Sequence, residues 1–205
     1  MAVSKEALLR YWEASGLVKN KKVLKAFEKV PRENFVLPKY KEYAYLDEPL
    51  PLFAGQTISQ PTTVAIMTEA LDVKAGQKIL EVGSGSGYQA AILAELVGPK
   101  GKVWTVERIK ALADFAKKNL ICYKNVKVIH ADGTKGLPKV APFDRIIITA
   151  AAAELPKTLF AQLKEKGIMV LPIEDRLFKI IKLKDGPKFE DLGPFVFVPL
   201  LTGLE

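Results

Sequence analysis

A chain of 205 residues, 49% of them hydrophobic and 26% charged, can bury one sizeable α/β core but is short for two independent domains, and its composition excludes disorder and coiled coil. No apolar stretch nears the roughly 20 residues of a membrane helix, the first residues lack the apolar core of a signal peptide, and the single Cys122 supplies neither an internal disulfide nor a zinc cluster, so a cytoplasmic monomer free of membrane and metal is expected. The net charge of +8 would suit nucleic acid, but the lysines alternate with glutamates and the dense run at 19–25 has no interleaved aromatics, which points to a solvated surface and no nucleic-acid partner.

Asn occurs only at positions 20, 34, 119 and 125, never before Gly, while Lys and Glu abound, a composition that fits a heat-adapted source. Spaced apolar positions at Leu8, Leu9, Trp12, Val23, Leu24, Phe27 and Val30, broken at Gly16, predict two short amphipathic helices ending before Pro31. Residues 31–61 are rich in Pro, Tyr and Gly, and Pro38, Pro49, Pro51 and Gly55 break any regular element; so long an irregular stretch is more often functional than idle. Val64, Met67 and Leu71 then repeat at helical spacing over 62–71. Strands follow at 78–83, 102–107, 126–131, 144–150 and 167–172, alternating with helices at 87–97, 109–121 and 156–164. Several strands lack polar alternation, as when helices cover both faces of a parallel sheet. At the end, 177–183 and 195–200 flank the Asp185-Gly186-Pro187 turn with no helix between, so the sheet is expected to finish with antiparallel pairing. The expected architecture is α/β: one domain over 1–205, with 1–61 a helical lead-in and cover and 62–205 a doubly wound core.

The chemistry gathers at strand ends. Gly83-Ser84-Gly85-Ser86-Gly87 follows an apolar strand and opens a helix, the context that gives a glycine pattern meaning. Its G-x-G-x-G spacing is shorter than the G-x-G-x-x-G of dinucleotide folds, which favours a nucleoside ligand without a diphosphate. Glu107 ends the next strand, where a carboxylate can accept from both ribose hydroxyls. Asp132-Gly133 ends the third, where Asp132 can accept from an adenine amine and Gly133 leaves room for the ring. Each alone is commonly a turn or a solvated strand end; three at consecutive strand ends read as an adenosine-bearing cofactor.

Glu-Val-Gly-Ser-Gly-Ser-Gly, Val-Glu-Arg-Ile, Ala-Asp-Gly and Pro-Phe-Asp-Arg-Ile-Ile-Ile-Thr resemble the successive motifs of class I methyltransferases, which implies a Rossmann-like fold using S-adenosylmethionine. Gly55-Gln56-Thr57-Ile58-Ser59-Gln60-Pro61, with Ala150-Ala151-Ala152 and Phe197-Val198-Pro199-Leu200, is similar to the protein-L-isoaspartate O-methyltransferase family over about 46–200. That resemblance implies a repair enzyme that methylates the α-carboxylate of L-isoaspartyl residues in damaged proteins and peptides. It puts Ser59 at the catalytic position and Thr57, Ile58, Ser59, Glu81, Gly83, Gly85, Glu107, Asp132 and Gly133 at cofactor contacts. Members often carry His or Tyr after the Pro of the Ser segment; this chain has Thr62.

A sulfonium methyl is already activated and a carboxylate is already an anion, so displacement needs no strong general base. His130, the only histidine, is accordingly read as a packed strand residue. Ser59 would orient the substrate carboxylate, although a serine here could instead cap the helix starting near Pro61. Asp144 and Thr149 fall on the fourth strand, where many methyltransferases face the methyl donor. Ala150 to Ala153 replace the Asn/Asp-Pro-Pro-aromatic signature of amine methylation, which disfavours amines. A small-molecule or RNA methyltransferase remains the alternative.

Overall fold

The computed structural model describes residues 4–205. Two helices lead in: α1 (Lys5–Ala14), capped by the Ser4 hydroxyl, which accepts from the Ala7 amide, and α2 (Lys21–Lys29), capped by Asn20. Residues 31–49 carry only 3-10 turns at Arg32–Asn34 and Pro38–Tyr43. A short antiparallel ribbon follows, β1 (Leu50–Pro51) against β2 (Thr57–Ile58), and then α3 (Pro61–Leu71), with Pro61 in the first turn, where its missing amide costs nothing.

The core alternates as expected: β3 (Lys78–Val82), α4 (Tyr88–Val97), β4 (Lys102–Glu107), α5 (Lys110–Asn119), β5 (Val126–His130), β6 (Phe143–Ile148), α6 (Lys157–Ala161), β7 (Leu163–Ile173), β8 (Arg176–Leu183) and β9 (Gly186–Pro194). The strands form one sheet of order β5-β4-β3-β6-β7-β8-β9. The pairs from β5 to β7 are parallel and the β7–β8–β9 pairs antiparallel. Successive residues of the central strands feed opposite faces, Ile79 and Ile147 one cluster and Leu80, Ile146 and Ile148 the other. Burial on both faces is why these strands read as continuous apolar runs.

Two elements differ from the sequence reading. The last strand is β9, at 186–194, and 195–200 forms no strand, docking through a single bridge between Ala151 and Pro199. The apolar character of 195–200 arises because Phe195 and Phe197 pack on the core, whereas β9 is an edge strand with little burial and no apolar alternation. The helix predicted to reach 164 stops at Ala161, and β7 takes over at Leu163, its register shifting against β6 between Phe143 and Arg145. Among the described residues no helix is long and apolar enough to cross a membrane.

Candidate active site

From β3 the chain winds outward through β4 to β5, then returns to lay β6 on the other side of β3. The crevice outside the carboxyl ends of such strands is where open α/β sheets hold ligands. A cleft of about 410 Å³ lies there, a volume suited to a small molecule.

Its floor is the glycine turn. Gly83, Gly85 and Gly87 have φ of 96°, 51° and 89°, in the left-handed region that side chains disfavour. At Gly83 space is short as well, since a Cβ would stand 2.2 Å from Thr149 Oγ1. The Thr149 hydroxyl donates to the carbonyls of Gly83 and Val82 at 2.9 and 3.1 Å, tying the turn to the end of β6. On the other side the Glu107 carboxylate accepts from the Gly85 amide at 2.9 Å and the Ile109 amide at 3.0 Å. Each oxygen retains a lone pair, the two that a vicinal diol would use.

Glu81 lies at the cleft with no exposure, and neither carboxyl oxygen has a hydrogen-bond partner. The neighbouring Thr105 hydroxyl is paired with Ser84 Oγ at 2.6 Å. Burial, helped by the charge of Glu107 and opposed by Thr105, pushes the Glu81 carboxyl up to about 8. A buried acid without a partner at a cleft wall is a place for a ligand's donor.

The β1–β2 ribbon forms the cover. Its loop closes through the Leu52 amide on the Gln56 carbonyl at 2.8 Å, Leu52 leans toward Gly85, and Phe53 meets Phe115 of α5 edge-on at 5.3 Å. Thr57, Ile58 and Ser59 line the cleft from this side. Residues 196–201 line it from the opposite side, held where Val198 and Leu200 exchange backbone bonds with Ala151.

Of the predicted cofactor contacts only Asp132 stands outside the cleft lining. Its Oδ1 accepts from the Thr134 amide and hydroxyl, at 3.0 and 2.6 Å, and its Oδ2 from the Gly203 amide at 3.0 Å. Burial raises the Asp132 carboxyl, but these donors outweigh it and hold the group below its ordinary range. Gly133 does line the cleft. The room its missing Cβ leaves is taken by Val82, whose Cγ1 would be 2.6 Å away.

Asp144 is not at the site. It is the second residue of β6, at the end away from the cleft, and accepts from the Lys78 amide and the Lys164 ammonium. Thr149 alone of that pair lines the cleft. His130, half-buried, lies 3.1 Å from the Arg108 carbonyl oxygen and outside the cleft lining. Sequence reasoning missed Arg108 and Leu201 as cleft residues in their own right. Nothing local marks either; the last residues fold back over the start of α5, where Glu205 bonds the backbones of Arg108 and Lys110.

This sheet order, glycine turn and cleft define a methyltransferase of the Rossmann-like class. The chain belongs to the protein-L-isoaspartate(D-aspartate) O-methyltransferase family, whose sequence model matches residues 3–205. A protein-L-isoaspartate O-methyltransferase from Ignicoccus hospitalis is 50% identical over 98% of this chain and 99% of that protein. One from Staphylothermus marinus is 53% identical, covering 95% and 92%. Among solved structures, the Plasmodium falciparum protein described as a putative protein-L-isoaspartate O-methyltransferase in complex with S-adenosyl-L-homocysteine aligns with a TM-score of 0.84 at 29% identity, over 96% of this chain and 98% of that one.

Proposed function

We propose that the protein repairs damaged proteins and peptides by transferring the methyl group of S-adenosylmethionine to the α-carboxylate of L-isoaspartyl residues, releasing S-adenosylhomocysteine. The methyl ester then cyclises to a succinimide that opens partly to normal aspartate. The observation that carries the reading is that Ser59 and the glycine turn line one cleft, on a chain that belongs to this family.

The cofactor supplies an activated methyl on a sulfonium; the protein supplies alignment and a dry site. Gly83 and Gly85 would let the ligand approach the backbone, Glu107 would take the ribose hydroxyls, and Gly133 would border the adenine end. Glu81, unpartnered and buried, suits the ligand's ammonium end. Thr57 and Ile58 would close over the cofactor as part of the cover that precedes the cofactor-binding core at 62–205. Asp132 acts at one remove, shaping the turn through Thr134, and reaches adenine only if Gly203 yields. The Ser59 hydroxyl would donate to one oxygen of the substrate carboxylate and so orient the other toward the methyl donor. No base is required, which agrees with His130 lying outside the cleft lining.

The lone Cys122 supports a cytoplasmic setting, and the interspersed Lys and Glu support a surface that does not take nucleic acid; the protein is proposed to act as a monomer without a membrane partner. The test uses labelled S-adenosylmethionine with peptides differing only in aspartyl or isoaspartyl linkage. Label is expected on the isoaspartyl peptide alone; equal labelling of both, or labelling of RNA instead, would sink the reading.

A further inference from the structure

The helix that follows Ser59 is not capped by its own N-cap residue. Gln60 makes no side-chain cap, and Pro61 has no amide to be capped, so the first amide seeking a partner is that of Thr62. Asp47, fifteen residues earlier, supplies it: Oδ1 accepts from the Thr62 amide at 2.9 Å and Oδ2 from the Thr62 hydroxyl at 2.6 Å. That hydroxyl also accepts from Trp12 Nε1 at 2.8 Å. Trp12 is buried in the core and packs edge-on against Phe27 at 5.0 Å.

Asp47 and Thr62 therefore stand at the two feet of the cover loop, which leaves through Pro49, turns through the β1–β2 ribbon and returns through Ser59 and Gln60. A polar residue just ahead of the helix would ordinarily be drawn into capping it. Asp47 does it instead, at a helix end that favours an anion, and Ser59, three residues before Thr62, is among the residues lining the cleft.

We infer that Thr62, gripped by Asp47 and Trp12, is a positioning residue that latches the feet of the cover loop and so fixes the Ser59 hydroxyl for the substrate carboxylate. The inference rests on the catalytic reading of Ser59 and extends it to side chains that do not touch the reactants. Geometry of this kind governs turnover more than binding, because a displacement of about 1 Å at a reacting group can cost on the order of a hundredfold in rate.

The test is a double-mutant cycle in methyl transfer to an isoaspartyl peptide, with kcat, KM and cofactor Kd measured separately. Thr62→Val, which keeps shape and the backbone bond, is expected to lower kcat about tenfold with cofactor Kd within about twofold, and Thr62→Ser to recover most of the loss. In a Ser59→Ala background the same Thr62→Val change is expected to cost less than about twofold, since the group it positions is already gone. Equal loss in both backgrounds, equal loss in the Val and Ser variants, or no loss in Thr62→Val would overturn the latch. Unimpaired Ser59→Ala would instead remove the catalytic reading beneath it. Trp12→Phe repeats the cycle should Thr62→Val fail to fold: it removes the indole donor, and a severalfold fall in kcat confined to the Ser59 background supports the latch, whereas an undiminished kcat counts against it.

Discussion

Glu81 carries the largest electrostatic strain in the site. Its carboxyl is buried without a partner and pushed up to about 8, while in the unfolded chain it titrates near 4.3. Between those values the unfolded state gives up a proton that the ligand-free folded state keeps, so folding stability falls as pH rises from about 4.3 to about 8 and then levels off. The full effect is on the order of a few kcal/mol. Glu81→Gln should remove this slope, so that urea midpoints of variant and parent lie closest near pH 5 and separate in the variant's favour toward pH 8. A separation that does not grow with pH would show that the acid is already paired. The same variant should bind S-adenosylmethionine more weakly, because the ligand's ammonium loses an anion. Gly83 is constrained by shape instead: Gly83→Ala sets a Cβ against Thr149 in a left-handed backbone, with an expected cost of about 1–3 kcal/mol by thermal unfolding and loss of cofactor binding by calorimetry.

Elements were legible in the sequence wherever burial imposed a pattern. Ile146, Ile147 and Ile148 read as a strand because both faces of β6 are covered, and the glycine turn because three left-handed residues leave few alternatives to Gly. β9 was illegible for the converse reason: Lys188, Phe189, Glu190 and Asp191 are all exposed, so nothing selects alternation. What fixes this edge is cross-strand chemistry, Arg176 to Asp191 at 2.7 Å, Lys179 to Glu190 at 3.3 Å and Phe178 edge-on to Phe189 at 6.0 Å. The Asp47 cap was hidden likewise, because capping is read from adjacent residues and this donor and acceptor lie fifteen apart. Phe189→Ala should lower stability by about 1 kcal/mol and leave methyl transfer at parental rate, since the hairpin is remote from the cleft; a fall in rate would mean that the hairpin supports the site.

At the scale of the whole molecule, the last residues close the cleft from outside the sheet. The Arg108 guanidinium donates to the Gly203 carbonyl at 3.2 Å and pairs with the Glu205 carboxylate at 2.8 Å. The backbones of Arg108 and Lys110 bond Glu205 at 3.0 Å, and Asp132 holds the Gly203 amide. Arg108 and Leu201 both line the cleft, so this strap covers the end where Glu107 and Gly133 would hold the nucleoside. Its polar links are half-exposed, and such pairs contribute only about 0–1 kcal/mol to folding. Arg108→Ala should therefore shift the melting temperature little, yet speed dissociation of S-adenosylhomocysteine severalfold in a stopped-flow chase, because the strap no longer holds the exit closed. Salt weakens exposed pairs, so raising ionic strength should accelerate product release from the parent and leave the variant nearly unchanged. Equal salt response in the two proteins would place the exit elsewhere, at the ribbon that carries Ser59.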